Sequence, residues 1–473
     1  MVQGGTPYDR FHSRKDRSYA MDDMKTTSVS RGRFLTNSAF AAGAAVGAGS
    51  LLRSAPVAEA AVSRDVTTLT VMYGVGELNK QEIHLFEQQN PSIKIKQLEY
   101  DPVRLRAMMS SGQPPDFIRT QGAPEIVNIA ARGLALNLDP YFANSKVLRV
   151  SDLQAINDVY RWDGKAQGQG PRYGMAKDWS QDNMFWYNKK LFDQAGVKYP
   201  SATEPMSYDD LLALGKKLTV RKNGKVLVYG LDAEYGFVMQ GRIIQMLAQS
   251  GKSLWNSDYT QCDFTSPEVV KILKWYVDWA QAHVGPSPLD PEKDWTGPLF
   301  LANRVAIAMY GYWFQGMITS DTHGMLKHAG FAPSPQWGSK RISACMTGTG
   351  AWIPATTPNK QAAWKFFEYF MAQKPALDRA QSGWGNPAVR DLVKDMPQGT
   401  PQQKGFLSTQ QNELKYLGIL RYSPYVSHDA METAIDKNLR PVFKGQIKLE
   451  DAAKQLQTDV NKLLRLGKQQ VGS

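Results

Sequence analysis

Between two apolar runs the chain carries Asp178-Trp179-Ser180-Gln181-Asp182, two carboxylates, an amide and an indole crowded into five residues. Carboxylates at such spacing suit one of two kinds of chemistry. They could divide the work of glycoside cleavage as acid and nucleophile, with Glu77 as a further candidate, which requires a fixed separation and one raised pKa. Alternatively they accept hydrogen bonds from a hydroxyl-rich ligand while the indole covers its apolar face. Nothing in the pattern marks an acid and nucleophile pair, so the acceptor reading is the one we carry forward.

Other chemistries find less support. The histidines (His12, His84, His283, His323, His328, His428) form no H-x-x-x-H or H-E-x-x-H face, and Cys262 and Cys345 have no metal-ligand spacing, so no metal and no cofactor are expected. Whether the two cysteines pair is not readable from spacing. The net charge of +12 is spread along the chain without a zinc-finger, RRM or basic-zipper pattern, which argues against nucleic acid. With 473 residues, 42% hydrophobic and 21% charged, the chain is long enough for two domains.

The elements that must hold these residues begin after a distinct leader. Residues 1–60 contain a basic segment, an Ala/Gly-rich apolar stretch and an Ala58-x-Ala60 processing site, the pattern of an export signal. Ser30-Arg31-Gly32-Arg33-Phe34-Leu35 is similar to a twin-arginine signal with Gly32 in place of the second arginine, leaving twin-arginine and general secretion both open. No cysteine near the cleavage site supports a lipid anchor.

Thr67–Tyr73 reads as a strand and residues 77–91 as a helix stopped at Asn90-Pro91. "SIKIKQLEY" reads as a second strand, "PVRLRAMMSSG" as a helix closed by Gly112, "PPDFIRT" as a third strand and "APEIVNIAARG" as a helix ended by Gly133. This alternation predicts an α/β fold with a mostly parallel sheet, whose ligands bind where strands end. Those ends, "YGVGELN" and "RTQGAPE", lack G-x-G-x-x-G and Walker spacing, so no phosphate cradle is expected; glycines and amides there suit a neutral polar ligand. A second unit follows from Met184, with Ser207 predicted to cap a helix.

Taken in order, "LTVMYGVGELNKQEIHLFEQQNPSIKI", "SSGQPPDFIRTQGAPEIVNIAARG", "YGMAKDWSQDNMFWYNKKLFDQAGV", "FLANRVAIAMYGYWF" and "TGTGAWIPATTPNKQAAWKFFEYF" resemble the extracellular solute-binding proteins of ABC sugar importers, the maltose-binding-protein-like family 1. The resemblance covers nearly all of the chain beyond the leader. It implies two discontinuous α/β lobes with a hinge and central ligand cleft, the periplasmic-binding-protein-like type II fold. Crossovers map near "AKDWSQDN", "YGYWF" and "ACMTGTG", which assigns 61–178 plus 313–346 to lobe 1 and 179–312 plus 347–473 to lobe 2.

Site residues follow by position from the same resemblance. Tyr73, Gly76 and Glu77 fall in the first binding loop, with a turn and helix-terminal charge as the alternative for Glu77, and Thr120, Gln121, Gly122 and Ala123 fall in the second. Asp178, Trp179 and Asp182 lie at the first crossover, where Trp179 either stacks on ligand or packs the hinge. Tyr310, Tyr312 and Trp313 lie at the second, in support or in contact, and Thr347, Gly348, Thr349, Gly350 and Trp352 at the third. In Gly383-Trp384-Gly385-Asn386-Pro387, Trp384 is a candidate platform and Asn386 a polar neighbour. The implied partners are a small-molecule carbohydrate and ABC permease subunits. The implied state is an exported monomer, in the periplasm or on the outer face of the membrane, that performs no catalysis. A polyamine or phosphate ester on the same fold is the alternative ligand.

Overall fold

The computed structural model describes residues 66–471. The expected leader, residues 1–60, lies outside them. The first lobe is built on a five-stranded sheet in the spatial order Ile93–Leu98, Thr67–Met72, Phe117–Thr120, Gly350–Trp352, Met175–Ala176. The first three strands are parallel, as the β-α-β-α-β pattern requires, and Gly350–Trp352 enters antiparallel between Phe117–Thr120 and Met175–Ala176. Helix Lys80–Gln89 starts at an Asn79 capping box completed by Glu82. Helix Lys360–Ala372 covers the sheet with a ladder of rings: Phe366 lies 5.0 Å from both Phe86 and Phe117, and Phe370 lies 4.9 Å from Tyr73.

The second lobe centres on an antiparallel sheet in which Phe185–Asn188 runs between Ile307–Ala308 and Ala329–Ala332. Trp186 stacks on Phe331 at 4.3 Å and meets Phe406 edge-on at 4.9 Å. Helices Met239–Gln249, Pro267–Gln281, His428–Phe443 and Leu449–Val471 pack together around this lobe. Ser207 caps helix Tyr208–Leu218 as expected, its hydroxyl accepting from the Asp210 amide at 3.0 Å.

Strand pairing corrects the expected lobe boundaries. Ile307–Ala308 and Ala329–Ala332 both pair with Phe185–Asn188, so the chain does not cross over at "YGYWF" and the segment expected in lobe 1 carries a strand of the second sheet. Gly350–Trp352 conversely belongs to the first sheet. The crossovers fall between Ala176 and Phe185 and between Ala332 and Gly350. A third lies beyond Asn386–Pro387, which pairs with Asp178–Trp179, because helix Pro401–Glu413 packs against Ala329–Ala332.

Cys262 and Cys345 are free and buried, so they do not pair. No helix among the described residues is long and apolar enough to cross a membrane.

Candidate functional site

Where the lobes meet, a cavity of ≈ 160 Å³ opens between walls of unlike chemistry. Glu77, Arg119 and Gln121 reach it from the strand ends of the first lobe, and Lys177, Asp178, Trp179, Ser180 and Asp182 from the first crossover. Glu234, Phe237, Val238, Trp295 and Trp313 come from the second lobe, and Thr347, Thr349 and Trp384 from the later crossovers.

The first-lobe wall is a chain of alternating charge. Arg119 donates to both carboxylate oxygens of Glu77, Lys177 Nζ sits 3.4 Å from Glu77 Oε1, and the same ammonium donates to Asp178. Burial by itself would push the Glu77 carboxyl up, but the adjacent Arg119 and Lys177 reverse this and hold it at about 2. Asp178 is raised, because desolvation there outweighs the attraction of Lys177. The tip of this wall is also braced: Arg119 lies over the Tyr100 ring at 5.5 Å.

The hinge supplies a second fixed carboxylate. Asp182 Oδ2 accepts from the amides of Met346 at 2.7 Å and Thr347 at 3.2 Å, tying one crossover to another. Burial pushes its carboxyl up to about 6, against those two bonds. Opposite it, Glu234 Oε2 accepts from Arg242 at 2.7 Å, and burial raises Glu234 to about 8 despite that cation. Glu234 has φ +50°, a left-handed conformation that a non-glycine residue adopts at a cost.

Three half-buried tryptophans form the aromatic wall. Trp295 and Trp313 lie 6.1 Å apart with planes inclined by 28°, and Trp384 lies 5.9 Å from Trp313. Small residues set their positions. Gly316 leaves room for the Trp384 ring where a Cβ would collide with it, and the Ser180 hydroxyl accepts from the Trp313 amide at 3.0 Å. Gly385, at φ +114°, lets the chain pass over Asp178.

Of the residues expected at the site, Glu77, Gln121, Asp178, Trp179, Asp182, Trp313, Thr347, Thr349 and Trp384 line the cavity. Trp179 is buried, its indole N–H donating to the Pro387 carbonyl at 3.2 Å, so it packs the hinge while one edge meets the cavity.

The other expected residues are elsewhere. Tyr73 is fully buried with its hydroxyl on the Gly350 carbonyl at 3.2 Å, because it continues the inward face of Leu69 and Val71. Thr120 turns to Glu125 at 2.8 Å. Gly122 and Gly348 abut each other, Gly122 leaving no space for a side chain. Gly350 and Trp352 are sheet residues; Trp352 is core, as are Tyr310 and Tyr312. Asn386 bonds the Trp179 carbonyl at 3.2 Å and is buried. Gly76 lies in the loop beside Glu77 without lining the cavity. Arg119, Lys177, Ser180, Glu234, Phe237, Val238 and Trp295 were not anticipated. Among these, Lys177 adjoins the Asp178-Trp179 cluster and Arg119 sits one residue before the Thr120 loop, which position alone could have flagged.

Two α/β lobes, crossed repeatedly by the chain and enclosing a cavity at their hinge, define the type II periplasmic-binding-protein architecture. The family described as bacterial extracellular solute-binding protein matches residues 67–376, and the chain belongs to that family. An uncharacterized ABC transporter extracellular-binding protein of Pyrococcus horikoshii is 22% identical over 281 residues, 55% of this chain and 56% of the relative, so the chain spans about half the length of that protein. The fold is shared with the Listeria monocytogenes ABC substrate-binding protein in complex with cycloalternan, at TM-score 0.70 and 24% identity over 84% of this chain and 99% of that one. It is shared also with a Thermotoga lettingae solute-binding protein bound with α-D-tagatose, at TM-score 0.69 and 23% identity over 84% and 100%.

Proposed function

We propose that the protein is the solute-capture component of an ABC importer and that its solute is a carbohydrate, enclosed between the lobes and handed to membrane permease subunits. The observation that carries this is the pairing of walls across one cavity: Trp295, Trp313 and Trp384 offer flat apolar faces, while Glu77, Arg119, Lys177 and Asp178 offer fixed acceptors and donors. A sugar has the matching asymmetry, an apolar ring face and a rim of hydroxyls. The cations and carboxylates of the polar wall neutralise each other, which favours an uncharged ligand over a polyamine or phosphate ester. The tagatose and cycloalternan complexes on the same fold support this choice of solute.

The same bonds weigh against catalysis. A glycosidase needs, beside a raised acid such as Glu234, a second carboxylate free to attack or activate water, whereas Glu77 and Asp178 are held by Arg119 and Lys177 and Asp182 by two amides. The family is one of extracellular proteins, and we place this member in the periplasm or on the outer face of the cell membrane, as a monomer. A calorimetric and thermal-shift screen of sugars, polyamines and phosphate esters tests the reading. Saturable binding of a sugar without release of reducing ends is the expected result, and binding of charged non-sugars alone would overturn it.

A further inference from the structure

At the start of the segment that runs to Glu234, the chain folds into a β-ribbon, Val220–Lys222 paired antiparallel with Lys225–Val228. Asn223 and Gly224 both take left-handed backbone angles, φ +51° and +75°, the two-residue turn that right-twisted hairpins require. That turn fixes the register, and the register sets Lys222 directly opposite Lys225. Like charges so placed destabilise a ribbon in water.

The neighbouring sequence adds to the charge instead of relieving it. Lys216 and Lys217 end the preceding helix, Arg221 lies in the ribbon, and all five cations are exposed. No acidic residue occurs between Asp210 and Asp232, and none of the five forms an ion pair among the described residues; Arg221 donates to the Ala282 carbonyl instead. Two large apolar side chains of the same ribbon face solvent, Val220 at 48% and Leu227 at 46% exposure.

We infer that this ribbon is a docking element for an anionic phospholipid surface, its lysines meeting headgroup phosphates while Val220 and Leu227 enter the interface. The combination of unpaired cations with exposed apolar side chains on one hairpin is what such a surface takes up. The ribbon also stands clear of the cavity. No ribbon residue lines the cavity, and the chain between ribbon and Glu234 is tied down by the parallel bridges of Tyr229 to Val305 and Asp232 to Ala308. Docking there leaves the cleft free to open. The inference rests on the extracytoplasmic placement but not on the identity of the solute.

The test uses protein recovered from the exported fraction and sedimented with vesicles of phosphatidylglycerol mixed with phosphatidylcholine, or of phosphatidylcholine alone. Retention on the anionic vesicles only, falling with salt, is expected. K222A/K225A should weaken it about 30-fold, from roughly fivefold per lysine, and L227S should weaken it further. The charge-matched control K96A/K146A should keep wild-type retention, no variant should lower the melting temperature, and all should keep wild-type solute affinity. Equal loss in the control pair, or no retention on anionic vesicles, overturns the inference. Retention on immobilised polyglutamate without retention on vesicles also overturns it and points to an acidic polypeptide instead.

Discussion

Replacing Glu77 by glutamine removes the carboxylate that two buried cations share and leaves its shape in place. The carboxyl is held at about 2 against an ordinary 4.5, and at 1.36 kcal/mol per unit that difference corresponds to about 3 kcal/mol. Because the folded value is the lower one, this stabilisation is fully present above about 4.5 and is lost as pH falls toward 2. In the variant Lys177 keeps Asp178, but Arg119 loses its carboxylate partner and retains Tyr100. Uncompensated buried charge is costly by a similar amount, so about 3 kcal/mol is the expected loss at pH 7. Urea unfolding of the unliganded protein from pH 7 down to 2 reads the difference directly. The gap between wild type and Glu77→Gln should narrow below pH 4.5 and close near pH 2. A variant as stable as wild type at pH 7, or a gap that does not change with pH, would refute the charge chain as drawn.

Other consequences are open to measurement. Trp313→Ala and Trp384→Ala should each weaken solute affinity by about 1–3 kcal/mol in calorimetry, while Trp275→Ala, whose indole bonds the Tyr208 carbonyl in the second-lobe core, should lower thermal stability and spare affinity; the reverse pattern would misplace the cleft. Asp182 is raised to about 6 from 3.8, so its contribution is complete below about 3.8 and lost as pH rises through 6. Asp182→Asn should flatten the stability profile across that window, and an unaltered slope would show that the group does not titrate there. Gly122→Ala puts a Cβ against the Thr347 and Gly348 carbonyls at φ +82°, and should destabilise by about 1–3 kcal/mol in thermal unfolding; a neutral effect would mean that the crossover yields freely.

The first sheet was readable because its three parallel strands and their helices follow one another locally, with Asn90-Pro91, Gly112 and Gly133 as stops. The later strands were not, because Ala329–Ala332 of the second sheet and Gly350–Trp352 of the first are short, carry no alternation and gain their identity from partners more than a hundred residues away. That is why the expected boundaries exchanged them.

The site divides along the same line. Glu77, Gln121, Asp178 and Asp182 lie at strand ends or a crossover that the local pattern announces. Glu234 and Trp295 arrive from loops whose only mark is a tertiary one: an ion pair with Arg242 for the former, a ring neighbour in Trp313 for the latter. Tyr73 shows the opposite failure, since the alternation of Leu69 and Val71 already assigned it to the inward face. The crossover that first drew notice does two jobs: Trp179 and Asp182 fasten the hinge, while Asp178 joins the charged wall of the cavity.

The most direct test is titration calorimetry of the purified chain with a panel of mono- and oligosaccharides, with Trp313→Ala measured beside it. One sugar bound at a single saturable site, unchanged after recovery and weakened in the variant, is the predicted result. No heat with any sugar, together with tight binding of a polyamine or phosphate ester, would contradict it.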